Sequence, residues 1–180
     1  MKQFLYGIVF TLVAAAIIFA AAAHLGYIPV NADAKPSRIE GLAAGIARHT
    51  YVSANAPKGN NPLPINDDTL LAGMKIYTAT CGECHGGLDR KPSAFGEALY
   101  PPAPNLINDP VDDDPEGETF FVTKHGIRLT GMPAWTGLMS DDDIWRVTAF
   151  LKRMNDLPPA VKTQWKAVSG TDAPSKDEKH

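Results

Sequence analysis

The chain of 180 residues contains only two cysteines. Two thiols cannot build a disulfide scaffold, and Cys81 and Cys84, three positions apart, must share a local chemistry. A basic excess is also missing: 17 Lys and Arg against 20 Asp and Glu leave a net charge of −3. Affinity built on neutralising phosphates needs the opposite balance, so nucleic-acid binding is set aside. No second Cys pair and no His-x-x-x-His follows Cys84, which leaves a zinc site short of a ligand. No βαβ pattern surrounds the pair, so the setting of a thioredoxin-type dithiol is absent too. Fifteen Pro and fifteen Gly are too many for a chain made only of long helices, and too few and scattered for a collagen-like or disordered one. Short helices joined by loops are expected, with no internal repeat.

One long apolar run is present. Met1-Lys2-Gln3 precedes twenty uncharged residues, Phe4 to Ala23, matching the roughly 20 needed to cross a hydrocarbon core of about 30 Å. A cleaved signal peptide is the competing reading, since Ala21-Ala22-Ala23 and Ala32-Asp33-Ala34 offer small-residue cleavage sites. The run exceeds the roughly 7 to 15 apolar residues of a signal core, which favours a retained anchor. Lys2 is the one charged side chain before it, so the terminus is expected in the cytoplasm and residues 24–180 outside.

The sequence divides into an anchor or signal segment (1–25), a short helix and connector (26–65), a main domain (66–156) and a short helix with a disordered tail (157–180). Ser37-Arg38-Ile39-Glu40 has the form of a capping box, and Ile39, Leu42, Ala43 and Ile46 fall at helical spacing, predicting an amphipathic helix ending near Arg48. Tyr51 to Pro64 reads as a connector. Asn66 can cap a helix whose Leu70, Leu71, Met74 and Tyr77 lead to Cys81. Residues 86–118 are rich in Pro and Gly without periodicity, and something other than a side-chain core must order them. Ser140 and Asp143 open the clearest helix, with Ile144, Val147, Thr148, Leu151 and Met154 on one face and Pro158-Pro159 at its end. Val161, Trp165 and Val168 suggest a last short helix before a tail from Ser169.

Cys81-Gly82-Glu83-Cys84-His85 carries the chemistry. Covalent haem attachment needs two thiols spaced to reach two vinyl groups and an imidazole on the same backbone segment that can turn onto the iron. The histidine directly after the second cysteine points to that use over zinc or a bare dithiol.

Over residues 66–156 the sequence resembles the class I c-type cytochromes, in their single-haem, membrane-anchored bacterial form. Three blocks carry the likeness: Gly73-Met74-Lys75-Ile76-Tyr77 before the attachment sequence, Lys124 to Trp135 as a distal ligand loop, and Val147 to Lys152 as a closing helix. The resemblance implies an all-α fold of short helices wrapped around one covalent haem c. It also implies a tight crossing of Gly73 and Tyr77 with Val147 and Phe150, where a glycine permits close approach. His85 and Met132 are its implied axial ligands. Met74 and Met154 fit helix cores, while Met139, just before the Ser140 cap, is the competitor of Met132. Pro104, in Ala103-Pro104-Asn105-Leu106, is the implied acceptor for the proximal imidazole N–H. Arg128 and Trp135 are candidate donors to the haem propionates. His125, His24, His49 and His180 are not expected as ligands.

An iron closed by imidazole and thioether can exchange an electron without binding a substrate. The expectation is an electron carrier and not an enzyme, held by its helix in a bacterial inner membrane with the haem domain in the periplasm. Its expected redox partners are a quinol-side complex, a dehydrogenase or a terminal oxidase. A haem subunit of a larger oxidoreductase complex, and an open-site haem enzyme or gas sensor, are the alternatives. Residues 68–156 carry 8 basic against 14 acidic side chains. Asp112, Asp113, Asp114, Glu116 and Glu118 are grouped there, as a solvated loop or a face for a basic partner.

Overall fold

The computed structural model describes residues 1–34, 36–88, 91 and 93–169. It divides the chain into two compact units, residues 1–34 and 35–180. The expected tail, with His180, lies outside the described residues from 170 on. All regular elements among the described residues are helical.

The first unit is one helix, α1 (Lys2–His24), with no acidic residue in its first turn and none of its side chains buried. Its most apolar 18-residue stretch has a mean hydropathy of 2.5, and at 1.5 Å per residue its 23 residues reach about 35 Å, long enough to cross a bilayer.

The second unit contains α2 (Arg38–Asn55), α3 (Asp67–Ile76), a π-helical turn (Tyr77–Cys81), α4 (Gly82–His85), α5 (Ala94–Glu97), α6 (Glu116–His125), α7 (Asp141–Arg153) and α8 (Pro159–Ser169). Side chains set most of the starts. The Ser37 hydroxyl accepts from the Glu40 N–H while the Glu40 carboxylate accepts from the Ser37 N–H, completing the capping box. Asn66 accepts from the Thr69 N–H and Ser140 from the Asp143 N–H. Ser140 and then Arg146 hydrogen-bond the Asp143 carboxylate and hold it below its ordinary range.

The core forms where α3 crosses α7. A β-carbon on Gly73 would stand 2.1 Å from the Arg146 carbonyl oxygen and 2.9 Å from Phe150 Cβ, so only glycine lets the two backbones meet. Tyr77 lies beside Phe150 with ring centroids 5.5 Å apart, and Trp165 meets Phe150 edge-on at 5.0 Å. Met74, Tyr77, Val147 and Phe150 are each 1 % exposed or less. Burying such a side chain contributes about 1.5 to 3 kcal/mol. A second cluster of Phe120, Ile144 and Trp145 joins α6 to α7.

Two elements differ from the sequence reading. The helix expected to stop near Arg48 continues to Asn55, because Val52 is buried and Tyr51 packs against Phe121. It stops where Pro57 forces Ala56 into extended backbone, φ −64° and ψ 146°. The stripe Ile39, Leu42 and Ile46 is exposed. Helix α8 is no appendage: Val161 and Trp165 are buried in the core beside α3 and α7.

Candidate functional site

The attachment sequence sits on an irregular piece of helix. After Ile76 the chain widens into the π-helical turn that ends at Cys81, with the Gly82 N–H bonded to the Tyr77 carbonyl. Such turns recur at functional sites because they shift side-chain register by one residue within a helix. Cys81 and Cys84 are half-buried and not joined to each other. Burial, followed by the neighbouring Cys84, pushes the Cys81 thiol up, against a lowering hydrogen bond from Thr80, so it is a neutral thiol at neutral pH.

His85 closes α4. Its Nδ1 lies 2.9 Å from the Pro104 carbonyl oxygen. A carbonyl only accepts, so a neutral imidazole here carries its proton on Nδ1 and keeps the Nε2 lone pair for another partner. The Leu106 N–H donates to the His85 carbonyl at 3.1 Å, so residues 104–106 follow the attachment turn closely. Gly86 takes φ +85°, and a β-carbon there would meet Asn105 Nδ2 at 2.6 Å.

Sequence reasoning missed several supports. The Tyr77 hydroxyl donates to the Gly86 carbonyl at 2.7 Å inside the core. Burial, then the nearby Cys81, pushes that hydroxyl above the ordinary tyrosine range, so it stays a donor. Asn105 Oδ1 accepts from the Ile107 and Asn108 N–H groups while its Nδ2 donates to the Lys91 carbonyl. Gly96 passes over the attachment turn so closely that a β-carbon would stand 2.1 Å from the Cys84 carbonyl oxygen, and Ser93 donates to the Glu83 carbonyl. These contacts hold Gly86, Ser93, Gly96 and residues 104–108 close to the attachment turn. None is visible from spacing, because each joins segments separated in sequence.

Met132 is half-buried in the loop after α6. Gly126, with φ +64°, lets the chain turn so tightly that a β-carbon there would lie 2.6 Å from the Met132 carbonyl oxygen. The Ile127 N–H donates to that same carbonyl, and Thr130 Oγ1 accepts from the Met132 N–H at 3.1 Å. Gly131 lies under Leu99: a β-carbon on it would be 2.6 Å from a Leu99 methyl. Leu99 thereby connects this loop to the stretch between α5 and Pro104. Met139 instead packs against the Phe120, Ile144 and Trp145 cluster.

Cys81, Cys84, His85 and Pro104 are thus brought together, with the Met132 loop joined to them through Leu99. Trp135 packs on the same cluster as Met139, and Arg128 is exposed on the loop; neither touches the attachment turn through a described contact. His125 is exposed at the end of α6 with its ring 4.5 Å from that of Phe121. No cluster of three His, Cys, Asp or Glu suited to a metal ion occurs among the described residues.

The donor set fits haem c: two free thiols on one helical turn, followed by an imidazole whose Nδ1 is engaged by the Pro104 carbonyl, which leaves the Nε2 lone pair to a metal. Residues 68–151 match the family model described as cytochrome c oxidase, cbb3-type, subunit III. No curated protein matches the chain. The matched residues run from α3 through the attachment turn and the Met132 loop to the end of the core of α7. Together with the all-helical fold, this identifies residues 68–151 as a c-type cytochrome domain of the class I kind, which binds haem c covalently and serves haem-based electron transfer.

Proposed function

We propose that the protein is a membrane-tethered electron carrier whose one haem is attached through Cys81 and Cys84 and ligated by His85 and Met132. The observation that carries this reading is the 2.9 Å approach of His85 Nδ1 to the Pro104 carbonyl, which sets the tautomer and makes Nε2 a stronger donor. Haem c supplies a reversible one-electron iron couple. Met132 would be the second residue to hold the iron, and its soft thioether would raise the potential relative to a second imidazole. Its loop is held by backbone bonds and by Leu99, while Met139 is engaged elsewhere. Arg128 is the residue of this loop able to offer a charge to a propionate, and Trp135, packed against Phe120, Ile144 and Trp145, could offer its indole N–H.

With α1 in the inner membrane, the haem domain works in the periplasm. A tether raises its effective concentration at membrane complexes. It would take electrons from a quinol-side complex or dehydrogenase and pass them to a terminal oxidase. The description of the matched family, a subunit of an oxidase, favours a second reading in which the chain is a fixed haem subunit of such a complex.

Both forms of the reading are tested in membranes of cells producing the full-length protein, with the Cys81→Ala/Cys84→Ala variant as the spectral blank. Respiratory substrate without oxygen should reduce the haem, and admission of oxygen should reoxidise it. A haem that stays ferric throughout would contradict the relay. Co-purification of an oxidase in mild detergent would favour the fixed subunit over the free carrier.

A further inference from the structure

We propose that α2 is a strap fastened across the two segments that support the axial ligands, with the hydrogen bond from Tyr100 to Glu40 as its latch. Glu40 and Tyr100 are then positioning residues for the haem, although α2 lies outside the matched residues 68–151. The proposal rests on His85 and Met132 being the ligands.

Eighteen residues make α2 about 27 Å long. Its carboxyl-terminal end is fastened to α6. Val52 and Ala56 are buried, and the Tyr51 and Phe121 rings lie 6.2 Å apart. The Pro57 carbonyl stands where a β-carbon on Gly117 would be only 1.9 Å from it. Further along, the Asn61 N–H donates to the Glu116 carboxylate at 2.6 Å. The amino-terminal half has no such burial, since Ile39, Leu42 and Ile46 are exposed. Glu40 fastens it instead, one carboxylate oxygen accepting from the Ser37 N–H to cap the helix and the other accepting from the Tyr100 hydroxyl.

Each fastening point leads directly to a ligand. Leu99, next to Tyr100, covers Gly131 beside Met132. Four residues after Tyr100, the Pro104 carbonyl accepts from His85, and Ala103 is bonded to Gly96 over the attachment turn. At the other end, α6 runs into Gly126, which is pressed against the backbone of Met132 and Pro133. A strap tied to both limits how far the Met132 loop can swing away from residues 99–104. Releasing the latch should let Met132 leave the iron more often without removing any ligand.

The test uses full-length ferric protein and cyanide, which binds only when Met132 has left. Tyr100→Phe should speed cyanide binding roughly three- to tenfold, the range expected for losing one net hydrogen bond, and should speed amide exchange in the first two turns of α2. Glu40→Ala, which also opens the capping box, should speed both at least as much, and the double variant should be no faster than Glu40→Ala, because that variant already lacks the bond that Tyr100→Phe removes. Cyanide rates within about twofold of wild type for Tyr100→Phe, or effects that multiply in the double variant, would overturn the latch. If the unmodified protein itself takes up cyanide at the rate of an open haem, the Met132 reading fails and the strap fails with it.

Discussion

A carbonyl oxygen that can only accept decides which nitrogen of His85 is free, and Pro104 supplies it. That pairing joins residues 19 apart, so it was legible only through the family resemblance. Cys81, Cys84 and His85 were legible directly, because their chemistry depends on local spacing. The choice between Met132 and Met139 can be measured. Met132→His should keep a six-coordinate haem and lower its reduction potential, because imidazole stabilises ferric iron better than thioether does. Each shift of about 59 mV is tenfold in a one-electron equilibrium. Met139→His should change the potential little, since Met139 packs with Phe120, Ile144 and Trp145. Redox titration of the two variants decides, and a shift confined to Met139→His would move the distal ligand to the later residue. Gly96, Asn105 and the Tyr77 hydroxyl were not legible, because their partners are backbone atoms brought near only by the fold.

Helix starts were read well because their signals are local: Ser37, Asn66 and Ser140 each cap the helix they precede. Helix ends depend on packing. The continuation of α2 through Tyr51 and Val52 comes from contacts with α6, which no pattern in residues 49–55 announces. The π-helical turn is equally silent in sequence, being a choice of hydrogen-bond register. The crossing of α3 and α7 was foreseen from Gly73, and it gives a paired prediction. Gly73→Ala places a methyl 2.1 Å from a backbone oxygen that no rotamer change can move. It should cost at least about 2 kcal/mol in denaturant unfolding, despite alanine's better helix propensity. In α2, a β-carbon on Gly45 meets nothing within 4 Å, so Gly45→Ala should be neutral or stabilising by roughly 0.5 to 1 kcal/mol. Equal losses from both substitutions would mean that the close crossing is not what Gly73 provides.

At the scale of the whole chain, the proposed function gives the apolar helix the task of location and the cytochrome domain that of chemistry. Helix α1 has no charge from Gln3 to Ala23 and no buried side chain, so as the proposed anchor it would be held in a bilayer by hydrophobic transfer and not by screened charge. Membranes washed in high salt should retain the protein; release into the wash, or an amino terminus found at His24 or Lys35, would show that the segment is a removed signal. The domain boundary drawn at residue 156 did not foresee that Trp165 completes the core beside Tyr77 and Phe150. A lone Trp and Val at helical spacing give no sign of which surface will receive them. With His85 and Met132 both holding the iron, as proposed, the haem would pass electrons and leave no position for a substrate. Carbon monoxide added to the reduced full-length protein tests this most directly. An unchanged visible spectrum is the predicted result, and a rapid shift to that of a carbonyl complex would contradict it.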